Sequence, residues 1–155
     1  MSTKDIFIPK ANSIQAPGND FHWNFGDDPK QAEHTTFYRS LFEPTGEESW
    51  VFDGSTGSGD EENLYSFLLM VPYIDDNVLE NTYKLRDGQK LHVSHTYSIP
   101  APPGFTGFRV VDADDAELTI HLDPIKGTVQ GDFNAVFKTH RMNPNGTFQL
   151  KRDDQ

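Results

Sequence analysis

Cysteine is missing from the chain, which excludes disulfides, thiolate metal sites and cysteine nucleophiles and leaves packing and hydrogen bonds to hold the fold. Long apolar runs are missing too. The longest, Phe67-Leu68-Leu69-Met70-Val71, falls far below the roughly 20 residues that a helix needs to cross a bilayer. Near the start, Ile6-Phe7-Ile8 stops at Pro9, too short for the apolar stretch of a secretory signal. The expectation is a cytoplasmic protein without a membrane span. Basic residues are scarce: 13 Lys and Arg stand against 24 Asp and Glu, a formal charge of −11. Such a field repels phosphate backbones and anionic lipid, so nucleic acid and membrane are not expected partners, whereas a basic protein is. An acidic surface also serves simply to keep a small protein in solution.

What is present reads as β structure. The 155 residues suit one domain with one hydrophobic core, with polar termini over 1–4 and 152–155. Twelve glycines and ten prolines punctuate short apolar segments, and the twelve phenylalanines suit half-buried strands better than helices. Phe21, Trp23 and Phe25 alternate with His22 and Asn24, giving period 2 and an aromatic inner face. Phe37 to Phe42 and Trp50 to Phe52 flank Glu43-Pro44-Thr45-Gly46, which has turn chemistry and predicts a hairpin. Asp28-Pro29-Lys30-Gln31 offers an N-cap, a first-turn proline and a Gln at N3, so one short helix near 29–36 competes with strand there. Thr35, Thr36, Phe37 and Tyr38 favour strand.

Gly54 to Glu62 is glycine-rich and acidic, which predicts a flexible loop over 53–63. Leu64 to Val71 is apolar on both faces and ends at Pro72, the pattern of a central strand. Lys90 to Tyr97 places Leu91, Val93, His95 and Tyr97 on one face. The last third carries three alternating segments around Leu118-Ile120-Leu122, Val129 to Phe137, and Phe148-Leu150, joined by Asp123-Pro124-Ile125-Lys126-Gly127 and Asn143-Pro144-Asn145-Gly146, a meander by its turn residues. The expected fold is all-β and antiparallel, a β-sandwich or an up-and-down, calycin-like barrel of about 8–10 strands.

The polar residues carry few chemical signatures. His92 and His95 are three apart on a strand and point to opposite faces, so they cannot share one ion without a bulge. His95 is the more interesting, because a ring on an apolar face needs a hydrogen-bond partner or a ligand. The loop from Asp53 to Glu62 is rich in oxygen ligands, but Ser58 and Leu64 fall where a calcium-binding EF-hand loop needs glycine and glutamate. Asp112, Asp114, Asp115 and Glu117 form a second acidic cluster whose ordinary reading is a solvated turn. Gly57-Ser58-Gly59 lacks the strand and helix of a nucleophile elbow, and no glycine loop opens a helix for phosphate. Asn145-Gly146-Thr147 fits a glycosylation acceptor but reads first as a hairpin turn. Neither a metal nor a cofactor is called for.

The stretch from Leu118 to Leu122, then Gly127 to Phe137, then Asn145 to Phe148 resembles the closing meander of many small β-sandwich and calycin-like barrel proteins. The likeness is architectural and carries no functional residue; the glycine-tryptophan signature of a lipocalin is missing. The leading functional expectation is a non-catalytic module that binds a small hydrophobic molecule or a sugar through aromatic residues at one open end, with Trp23, Trp50, His95, Tyr97 and Tyr38 as its contacts. Two alternatives stand beside it. One is an acidic inhibitor or immunity-type protein that docks a basic partner, and the other a hydrolase or isomerase-type enzyme built on a His and carboxylate pocket. An edge strand could also pair with its symmetry mate to give a homodimer.

Overall fold

The computed structural model describes residues 19–154; the segment read as the polar start and Ile6-Phe7-Ile8 lie outside them. Eleven strands follow in chain order: β1 (Asp20–Phe25), β2 (Asp28–Gln31), β3 (His34–Phe42), β4 (Glu47–Thr56), β5 (Tyr65–Pro72), β6 (Leu79–Lys84), β7 (His92–Ile99), β8 (Gly107–Asp112), β9 (Asp115–Asp123), β10 (Thr128–Val136) and β11 (Asn145–Lys151). They form two antiparallel sheets, one ordered β2-β1-β11-β10-β9-β6 and the other β3-β4-β5-β7-β8. Among the described residues the sheets pack face to face as a sandwich with β2, β6, β3 and β8 as edge strands, so the barrel alternative is overturned, and the strands number eleven. No described helix is long and apolar enough to cross a membrane.

Period-2 alternation explains the layers. Along β9, Leu118, Ile120 and Leu122 are buried while Thr119 and His121 face outward, and β10 and β11 repeat the pattern with Val129, Phe133 and Ala135, then Phe148 and Leu150. Across the core, Phe52 stacks on Phe148 at 5.4 Å and Phe67 meets Trp23 edge-on at 5.2 Å. Rings from the two sheets therefore interleave, each fully buried one contributing about 1.5–3 kcal/mol. The predicted hairpin over 37–52 is β3–β4, and Leu64 to Val71 supplies β5, third of five strands in its sheet.

The short helix near 29–36 does not form. Asp28–Gln31 is instead an edge strand on β1, and His34 already pairs with Ser55 in the other sheet. Pro29 is tolerated at a sheet edge because the missing N–H leaves no ladder bond unmade. Between them the chain changes sheets within two residues, the Ala32 amide bonding the Phe21 carbonyl at 2.8 Å and the Glu33 amide bonding the Ser55 carbonyl at 2.8 Å. A helix would deny Phe37 its alternate inward position against Phe52 and Trp50.

The acidic loop is also shorter and better held than its composition implies. Asp53 to Thr56 belong to β4, and Asp53 and Ser55 are buried. Beyond them Gly57 donates to Glu33 at 2.6 Å, Ser58 to the Asn63 side chain at 2.9 Å, and Glu61 to Ser58 Oγ at 3.1 Å. Gly57 has a φ of +70°, and a Cβ there would run into the Asn63 carbonyl, so the turn requires glycine.

Register sets what each face presents. On the outer face of the six-stranded sheet, one row runs Asp20, Gln149, Gln130, His121, Glu80 and the next His22, Thr147, Asp132, Thr119, Thr82. On the inner face of the five-stranded sheet, Gly54, Phe67, His95 and Val111 share one row, and Thr56, Tyr65, Tyr97 and Arg109 the next.

Candidate functional site

Those two inner rows end at one mouth of the sandwich, where the chain passes from β2 to β3. Tyr65 and His95 lie 4.4 Å apart between ring centres, and His95 stacks on Tyr97 at 5.1 Å and on Phe67 at 4.8 Å. Trp23 arrives from the opposite sheet, 6.2 Å from Tyr65. Three of the five expected contacts, Trp23, His95 and Tyr97, thus join one aromatic cluster bridged by Tyr65. The other two stand elsewhere. Trp50 is 1% exposed, packs edge-on against Tyr73 and lies beneath Arg152; on β4 it pairs with Val71, four residues from the Gly54–Phe67–His95 row. Tyr38 neighbours the inward Phe37 on β3 and so points to the outer face, paired with Val51.

His95 is almost fully buried at 2% exposure. Its Nδ1 lies 2.8 Å from the Ser66 carbonyl, an acceptor only, so Nδ1 carries the proton and Nε2 keeps a lone pair in the neutral ring. Burial lowers its pKa to about 4, and the nearby His140 adds to that, while the Ser66 bond opposes it. The ring is therefore uncharged at neutral pH.

A loop that sequence patterning did not single out completes this end. After β10, Phe137 bridges to Met142 and the chain turns tightly through Arg141 at a φ of 53°. The turn brings His140 Nε2 within 2.9 Å of the Tyr97 hydroxyl, and the Tyr65 hydroxyl donates to Met142 Sδ at 3.4 Å. His140 Nδ1 is buried without a partner. Burial also raises the Tyr65 pKa to about 12, which keeps its hydroxyl protonated.

Beside the cluster an open groove of about 600 Å³ is lined by Trp23, Phe25 and Tyr65 on one side and by Lys30, Gln31, Glu33 and Thr56 on the other. Its apolar wall comes from the two sheets and its polar wall from the crossing strand. The Trp23 indole N–H is buried with no hydrogen-bond partner, a deficit of about 1–3 kcal/mol. A larger depression of about 750 Å³ lies on the outer face of the six-stranded sheet, around Gln130, Asp132 and Gln149. Among the described residues no three His, Asp or Glu side chains converge where an ion could sit. His92 and His95 do face opposite ways, His92 lying 3.6 Å from Asp112.

Comparison with protein-family models, curated proteins and solved structures found no match to this chain.

Proposed function

We propose that the chain binds a small amphipathic molecule in the groove at the β2–β3 crossing. The ligand would have a planar apolar part to lie against Phe25 and Tyr65, which cover the buried Trp23 ring, and polar atoms for the opposite wall. The observation that carries this reading is an open groove of about 600 Å³ that sets the part-exposed rings of Phe25 and Tyr65 against the polar side chains of Lys30, Gln31 and Glu33. Lys30, Gln31 and Glu33 supply polar contacts that fix orientation, the usual division of labour in small-molecule sites.

The test is a thermal-shift screen of aromatic, heterocyclic and monosaccharide ligands. A ligand at about 100 times its Kd adds about 2.7 kcal/mol to stability, an easily measured rise in Tm. Tyr65→Ala and Phe25→Ala should abolish the shift, while Trp50→Phe, at a ring outside the groove, should leave it intact. No shift with any ligand at saturating concentration would defeat the proposal.

A further inference from the structure

The larger depression, on the opposite side of the six-stranded sheet from the core, has its own logic. Its middle is occupied by Gln130, Asp132 and Gln149, flanked by Thr119 and Thr147. Among the described residues the first three make no side-chain hydrogen bond or ion pair, whereas the ends of the same rows are self-satisfied. His121 lies 2.5 Å from Glu80, and His22 bonds Thr147 at 2.8 Å. Asn and Asp are poor strand formers, yet Asp132 and Asn134 occupy β10, which has partners on both sides.

Gly131 and Gly146 both face inward at the centre of the sheet. A Cβ on Gly131 would meet the Phe148 ring at 2.8 Å, and one on Gly146 would meet the Phe133 ring at 2.6 Å, so the rings pack close to the backbone beneath the depression.

We infer that this face binds a neutral oligosaccharide chain laid across the strands, with Asp132, Gln130 and Gln149 as its central hydrogen-bonding contacts. Each hydroxyl of such a chain both donates and accepts, which matches a carboxylate between two amides; the flanking Thr119 and Thr147 hydroxyls are held by Thr82 at 2.9 Å and His22 at 2.8 Å. From Asp20 on β1 to Glu80 on β6 the row crosses five strands, roughly 19 Å at the usual strand spacing. That length accommodates several sugar rings, and the strand-to-strand step is close to the length of one ring. Charge selects among glycans: Asp20, Asp132 and Glu80 line the depression of a chain with formal charge −11, so polyanionic chains are repelled. This site is separate from the aromatic groove and needs none of its residues.

Native affinity electrophoresis tests it, with gels containing a soluble β-glucan, a xylan or a galactomannan and polygalacturonate as the anionic control. The expected result is retardation by at least one neutral polysaccharide, weakened about tenfold or more by Asp132→Ala and by Gln130→Ala. Tyr65→Ala, in the aromatic groove, should leave retardation unchanged, so the two sites succeed or fail independently. Equal thermal unfolding of the face variants and the parent shows that the loss is local; Gln149→Ala serves if either variant is unstable. Migration unaffected by every neutral polysaccharide, retardation that survives Asp132→Ala, or stronger retardation by polygalacturonate would each overturn the inference.

Discussion

Replacing Asp53 by Asn should change the pH dependence of folding in a way that no surface substitution would. Asp53 sits between the inward residues Phe52 and Gly54 of β4, so its carboxyl projects from the opposite face, beside Thr36 and Leu68 in the register. It is 3% exposed, its Oδ1 has no partner, and burial pushes its pKa from 3.8 to about 8. The native protein therefore holds this proton at pH 7, while the unfolded chain has released it. Native protein binds more protons than unfolded chain between pH 3.8 and about 8, so stability falls as pH rises through that window. At 1.36 kcal/mol per unit the cost is about 2 kcal/mol at pH 5 and about 4 kcal/mol at pH 7. Asn is neutral throughout and carries no such slope, although its amide adds a donor that the site must satisfy, at about 1–3 kcal/mol. Urea unfolding of both proteins at pH 5, 7 and 9, extrapolated to water, should show Asp53→Asn gaining on the parent by about 3 kcal/mol between pH 5 and 7 and further by pH 9. A difference between the two proteins that stays constant with pH would refute the reasoning.

Three other outcomes follow from the same structure. His95 titrates with the opposite sign: its pKa is lowered from 6.5 to about 4, so the stability it confers is complete above pH 6.5 and is lost as pH falls toward 4, by about 3 kcal/mol. In His95→Leu that acid slope should vanish from urea midpoints even though absolute stability drops, and an unchanged slope would count against a neutral buried imidazole. Gly54→Ala should destabilise by about 1–3 kcal/mol, read as a lowered Tm, because the new methyl lands in the Phe21 ring; an unaltered Tm would show that the two sheets have room to part. Asp153→Ala with Asp154→Ala should free the Phe37 and Arg39 amides, which those carboxylates hold at 2.8 and 3.0 Å. The result should be a loss of about 1–3 kcal/mol and concentration-dependent association through the exposed β3 edge, visible by light scattering.

Much of the fold is written in local patterns. The alternation at Leu118-Ile120-Leu122 and the turn at Gly127 define β9 and β10 without reference to anything distant, because a strand with one buried face has only one acceptable register; the turn expected at Asn143 to Gly146 lies instead at 138–141, and Asn145 and Gly146 open β11, paired with Asn134 and Phe133. The choice between sandwich and barrel is not local. It depends on whether the edge strands meet, and β2, β3, β6 and β8 do not close. The helix reading of 29–36 rested on capping chemistry that is real in isolation; the demand that Ala32 and Glu33 bond to different sheets overrides it. Of the candidate site, the period-2 face correctly sends Trp23, His95 and Tyr97 inward, and three-dimensional packing then joins them. Trp50 has the same inward direction but lies farther along its strand, and Tyr38 has the wrong parity. His140 and Met142 were illegible because their positions come from the Phe137–Met142 bridge and a left-handed Arg141, which leave no periodic trace.

The pairing of β1 with β11 sets the order in which the molecule can assemble. Asn24 lies 121 residues from Asn145 in the chain, yet the two are register partners, whereas β1–β2, β3–β4, β4–β5, β7–β8, β9–β10 and β10–β11 join sequence neighbours. Bringing such distant ends together costs about 2 kcal/mol more loop entropy than closing a ten-residue hairpin. Neighbouring hairpins, β1–β2 among them, can therefore form early, while the docking of β1 on β11 must come later. Until that late step Phe21 and Trp23 have no finished core to enter, so the slow phase of refolding should be the one in which tryptophan emission reports burial of β1.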